Sequence, residues 1–185
     1  MRTDTMIKKT LSVAAGAAAM TCGVVVGGFT TAAAQPIDYA TLPVNPNAVT
    51  DSSAWVAEAP VTNPEGQPGV MALFTHRDGS RTVTDTILVL DDAAGAASVL
   101  SQGRAGLGSE IANATTQPAP VGTDGMITSG TSLDNSRSIS ALTFTEGNTV
   151  TTIEFEGAPT DPVPPDLVID YGRMQASAIQ AALSA

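Results

Sequence analysis

Cysteine, histidine and lysine are almost missing from this 185-residue chain, which has one Cys, one His and no Lys beyond residue 9. Cys22 stands alone in an apolar leader, so the chain builds no internal disulfide framework and no cysteine-based metal site. After residue 34 only five arginines stand against seventeen carboxylates. That balance cannot neutralise a phosphate backbone, which excludes nucleic acid as a partner, and an anionic membrane surface repels it. Aromatics are scarce at 4%, so a core must come from Val, Ile, Leu and Ala. Catalytic signatures are missing as well. No G-x-S-x-G elbow offers an activated serine. The glycines of Gly103-Arg104-Ala105-Gly106-Leu107-Gly108 come in the wrong order for a dinucleotide-binding turn and follow no strand. Neither Asp91-Asp92 nor Asp134-Asn135 has the spacing of an EF-hand loop. The expectation is a protein with no cofactor, no metal and no enzyme activity.

What is present begins with an address. Arg2, Lys8 and Lys9 precede an apolar stretch over 11–29, and Ala32-Ala33-Ala34 forms an A-x-A pattern before Gln35. This predicts a signal peptide over 1–34 and a secreted, extracellular protein with no stable membrane insertion after cleavage. Anchoring in the cell envelope is the alternative. Thr21 stands where a lipoprotein box wants a small residue before Cys22.

With 43% apolar residues, the remaining length suits one globular domain. Residues 35–69, punctuated by Pro36, Pro43, Pro46, Pro60 and Pro64, read as an extended N-terminal segment with Trp55 as a plug against the domain. A single α+β domain over 70–185 follows. Its first two strands, 70–76 and 82–90, flank Arg77-Asp78-Gly79-Ser80, where Asp-Gly supplies a hairpin turn. Alternation puts Val70, Ala72, Phe74, Val83, Ile87 and Val89 on one face and Met71, Leu73 and Leu88 on the other. Both faces are apolar, so both need a cover.

Asp91 or Asp92 caps a helix reaching about Ala112, with Ala93, Ala97, Leu100, Leu107 and Ile111 as its buried stripe. Gly95, Gly103, Gly106 and Gly108 each cost about 1 kcal/mol relative to Ala, which predicts a frayed or broken second half. After a Thr/Pro loop over 115–120, three strands are expected at 125–132, 137–145 and 149–156. Pro165-Asp166 then opens a terminal helix with Leu167, Tyr171, Met174, Ala178 and Ala181 as its stripe. The order β-β-α-β-β-β-α predicts an antiparallel sheet of about five strands with two packed helices.

Two sets of titratable residues invite chemistry. His76, the only imidazole, ends the first strand and reads as a surface turn residue. Glu154 and Glu156 share one strand face, an arrangement that serves glycosidases, but the expectation is a solvated face on an edge strand.

The run Asp124–Glu156 is a strand with an internal Ser129-Gly130-Thr131, then two strands joined by a turn at Gly147. A proline break and an acidic-start terminal helix follow. This pattern resembles a group of mycobacterial secreted proteins, the LpqN-type lipoproteins and the proline-rich 28 kDa antigen, and through them the Mog1/PsbP-like fold, a sheet sandwiched by helices. The resemblance spans about residues 55–183, with Ala54-Trp55-Val56 in the place of an aromatic N-terminal segment. The long Pro-rich arm and a good lipobox are missing. The resemblance implies a non-catalytic envelope or secreted binding protein.

These readings together predict a ligand between sheet and helix. Small residues on the covering helix leave room, so Leu100, Gly106 and Leu107 are the expected binding residues for a small apolar or amphipathic molecule, such as a lipid or glycolipid. An acidic interaction module for a host or envelope protein is the alternative, and a hydrolase ranks last.

Overall fold

Asp78 and Gly79 close the first hairpin, with Gly79 at φ 72° and Asp78 bonded to the backbone N–H of Ser80. The hairpin joins β3 (Gly69–His76) to β4 (Thr82–Val89). The computed structural model describes residues 37–50 and 52–184; the leader, Cys22 and the Ala34-Gln35 junction lie outside them. The other strands are β1 (Trp55–Ala57), β2 (Val61–Thr62), β5 (Ala112–Pro118), β6 (Thr123–Thr131), β7 (Ser138–Glu146) and β8 (Thr149–Gly157). All pairings are antiparallel, in the order β1-β3-β4-β8-β7-β6-β5, with β2 also pairing with β3.

The sheet is larger than the five strands expected. β1 and β2 are three- and two-residue pieces too short to show a period, and they lie in the proline-punctuated segment. β5 falls where a Thr/Pro loop was expected. It is almost wholly exposed, so its sequence Ala-Asn-Ala-Thr-Thr-Gln-Pro carries no alternation. Both sheet edges are blunted. One is made of the short β1 and β2. The other, β5, breaks register between Ala112 and Thr115, with Asn113 at φ 54°, and stops at Pro118.

Helix α3 (Pro165–Leu183), helix α1 (Pro46–Thr50) and the chain around Leu42 cover one sheet face. Val70, Phe74, Val83, Ile87, Leu142, Phe144, Ile153 and Phe155 project from the strands into this main core. Its buried helical stripe is Val168, Tyr171, Gly172, Gln175, Ala176 and Ile179. The expected stripe is therefore rotated by about one residue, and Met174 is exposed. Gly172 sets the rotation: a Cβ there would lie 2.3 Å from Leu142 Cδ2, so α3 approaches β7 most closely at this point.

The second face is covered by α2 (Ala93–Glu110), capped by Asp92, whose carboxylate accepts from Gly95 N–H at 2.7 Å. The helix is continuous despite its glycines, because burial of Leu100 and Leu107 outweighs their propensity cost. Its inward residues are Ala96, Val99, Leu100 and Leu107 rather than Ala93 and Ala97, which are exposed. A second correction concerns β8. It lies between β4 and β7 in the middle of the sheet, so Glu154 and Glu156 are not on an edge strand.

Candidate functional site

Helix α2 covers only part of its face of the sheet. Ala96, Val99 and Leu100 pack on Val150 near its start, and Leu107 with Ile111 packs on Ile139 and Ala141 near its end. Between these two small clusters the inward position is Gly103, which has no side chain to offer. A cleft of about 150 Å³ opens there. Its wall is α2, through Val99, Leu100, Gly103, Arg104, Leu107 and Glu110. Its floor is the sheet: Met71 from β3, Thr84, Thr86 and Leu88 from β4, Val150, Thr152 and Glu154 from β8, and Thr143 from β7.

Leu100 and Leu107, two of the three residues expected to bind, line this cleft. Gly106 does not. A Cβ at Gly106 would meet nothing within 4 Å, so its face of the helix is open. One helical step of 100° separates a position that faces the sheet from one that does not, and Gly103, three after Leu100 and four before Leu107, is the glycine on the inward stripe.

The cleft has two electrostatic ends. Arg104 is tied down: its Nε donates to Thr143 Oγ1 at 2.9 Å, and a terminal nitrogen donates to the carbonyls of Asp124 and Thr143. Burial lowers its pKa. Glu154 rises from the floor, with Glu156 two residues along the same face and Glu110 approaching from the end of α2. Burial first, then repulsion from Glu156 and Glu110, pushes the Glu154 carboxyl up to about 7. Sequence alternation places the two glutamates together; only the packing of α2 brings Glu110 to them.

A second polar group lies in the main core. Asp85 is wholly buried on β4 between Val83 and Ile87, and neither of its carboxyl oxygens has a hydrogen-bond partner among the described residues. The Tyr171 hydroxyl lies beside it but donates to the Val44 carbonyl. Burial pushes the Asp85 carboxyl up to about 8. The same alternation that places Val83 and Ile87 inside places Asp85 there, so the signal was present in the sequence.

His76 stacks edge-on against Trp55, with ring centroids 5.3 Å apart, and its Nδ1 lies 2.6 Å from Asp78 Oδ1. The Ser80 hydroxyl donates to Asp78 and not to the imidazole, so this cluster does not activate a serine. Trp55 packs on the rim of the main core, as a plug would. Among the described residues no three His, Cys, Asp or Glu side chains are arranged to hold a metal ion. None of the described helices is long and apolar enough to cross a membrane.

The fold has a solved counterpart. The chain is similar in structure to the extracellular domain of PknH from Mycobacterium tuberculosis, with a TM-score of 0.54 over 81% of this chain and 98% of that one, at 11% sequence identity. At that identity the likeness shows a shared fold. No family model and no curated protein matches the chain, so the LpqN-type resemblance gains no support from sequence comparison.

Proposed function

We propose that the protein is an extracellular, non-catalytic binding domain that takes a small apolar or amphipathic molecule in the cleft between α2 and the sheet. The observation that carries this reading is the opening at Gly103, where a mostly apolar wall and a floor of aliphatic and threonine side chains meet without filling the space. The secretory pattern of the leader supports the location. So do the LpqN-type resemblance and the fold shared with a domain described as extracellular. The volume narrows the ligand. At about 150 Å³ the cleft is smaller than the ~300–1,000 Å³ of a site for drug-sized molecules, so it fits a short apolar group or the end of a lipid or glycolipid chain, not a whole one.

The test compares two substitutions three residues apart on α2. Gly103→Leu places a side chain in the cleft, whereas Gly106→Leu places one in open space. Amide chemical shifts of β8 during titration with 1-hexanol read occupancy directly. Loss of the response in Gly103→Leu alone is the expected result. Equal responses in both variants would reject the cleft. The alternative reading, an acidic surface that engages an envelope or host protein, would then take its place.

A further inference from the structure

We propose that the cleft selects an amphipathic amine, an apolar group of about six carbons bearing one ammonium, with the ammonium set against Glu154. This rests on the cleft being a binding site, and it adds the charge that site prefers. A space of about 150 Å³ holds a benzene-sized molecule, and here Leu88, Leu100, Leu107 and Val150 supply the apolar part of a lining that also carries threonines and Glu154.

Charge then chooses among ligands of that size. Two further carboxylates act on Glu154, Glu156 from its own strand and Glu110 from α2, and Arg104 of α2 lines the same cleft. The cleft's one basic side chain, Arg104, spends its guanidinium on Thr143 and the Asp124 carbonyl. The Glu154 end of the cleft is therefore acidic, and near neutral pH a proton on Glu154 holds off part of that charge. A metal ion is a poor candidate, because these groups do not converge on one point among the described residues. An ammonium needs no such convergence, since it is one compact charge with three donors and can meet Glu154 while its chain lies over Leu100 and Leu107. A carboxylate ligand would add a fourth negative charge to that end.

Binding an ammonium also favours the ionised form of Glu154, so a proton leaves the protein as the ligand enters near neutral pH. No bond is made or broken beyond that ionisation.

The experiment titrates the protein with hexylamine, 1-hexanol and hexanoate, following the β8 amides by NMR at about pH 8 and about pH 5. Hexylamine is expected to bind about tenfold more tightly than hexanol at the higher pH, with hexanoate weakest, and the preference is expected to collapse at the lower pH. Glu154→Gln should abolish the preference and keep hexanol binding. Glu110→Gln, on the cleft wall at the exposed end of α2, should weaken the preference and keep hexanol binding. Equal binding of amine and alcohol at both pH values would overturn the proposal and leave the cleft intact. Tightest binding of hexanoate would overturn it in favour of Arg104. No shift with any probe would reject the cleft reading itself.

Discussion

Gln175 holds Val44: its Oε1 accepts a 2.7 Å hydrogen bond from the Val44 backbone N–H, while its Nε2 donates at 2.8 Å to the Leu42 carbonyl. The two ends of the described chain are joined by this wholly buried amide, and Tyr171 adds a third bond to the Val44 carbonyl. Truncation should therefore release the N-terminal segment from α3. Gln175→Ala leaves a buried carbonyl and a partly buried N–H unpaired and is expected to cost about 2–4 kcal/mol. Tyr171→Phe should cost about 1 kcal/mol. Urea melts give the energies, and faster hydrogen exchange at Val44 shows where the loss occurs. A Gln175→Ala variant within about 0.5 kcal/mol of the parent would mean that the N-terminal strap around Leu42–Val44 is not held this way.

The buried carboxyl of Asp85 gives the fold a pH dependence with a definite sign. Its pKa is raised from 3.8 to about 8, so the folded chain binds more protons than the unfolded one across that window. Stability is then complete below about 3.8 and declines as pH rises towards 8, at up to about 1.4 kcal/mol per unit. Glu154, raised from 4.5 to about 7, adds a contribution of the same sign over a narrower range. Asp85→Asn should flatten the profile and exceed the parent in stability at neutral pH. Thermal unfolding in buffers spanning pH 4 to 8 checks this, and an unchanged slope in the variant would count against a protonated Asp85.

Two glycines on different helices should respond oppositely to one methyl group. At Gly172 a Cβ would approach Leu142 Cδ2 to 2.3 Å and Val121 Cγ1 to 3.0 Å. Overpacking of about 1–3 kcal/mol outweighs the helix-propensity gain of about 1 kcal/mol there. At Gly106 nothing lies within 4 Å, so Ala should stabilise the protein by up to about 1 kcal/mol. Chemical denaturation of Gly172→Ala and Gly106→Ala decides the matter, and two effects of the same sign would show that α3 does not pack this closely on β7.

On β8 the two faces should differ sharply. Phe155 is 5% exposed and meets Tyr171 edge-on, at 5.5 Å between ring centroids. Its replacement by Ala should cost about 3–5 kcal/mol. Glu154→Gln removes a carboxyl that repels its neighbours and should be neutral or stabilising near pH 7. Equal losses in the two variants would mean that the strand faces the other way.

Much of the site was legible as separate parts. Alternation along β8 sets Glu154 and Glu156 on one face and Phe155 on the other, and helical spacing puts Leu100 and Leu107 on one stripe. The opening itself was not legible, because four glycines compete within α2 and periodicity alone is uncertain by one step. Contact of Leu107 with Ala141 and of Leu100 with the Val150 region turns Gly103 inward and Gly106 outward.

By itself the sequence determined the antiparallel α+β character, the hairpin at Asp78-Gly79 and the two long helices, since turn chemistry and apolar period act over a few residues. Tertiary structure alone decided that β8 is central, that β1, β2 and β5 extend the sheet, and that Glu110 joins Glu154. An edge strand such as β5 buries too little to leave a pattern, and the placing of β8 depends on pairing between segments some seventy residues apart. The strap from Val44 to Gln175 has the same origin: a hydrogen bond across 131 residues leaves no local mark in either partner.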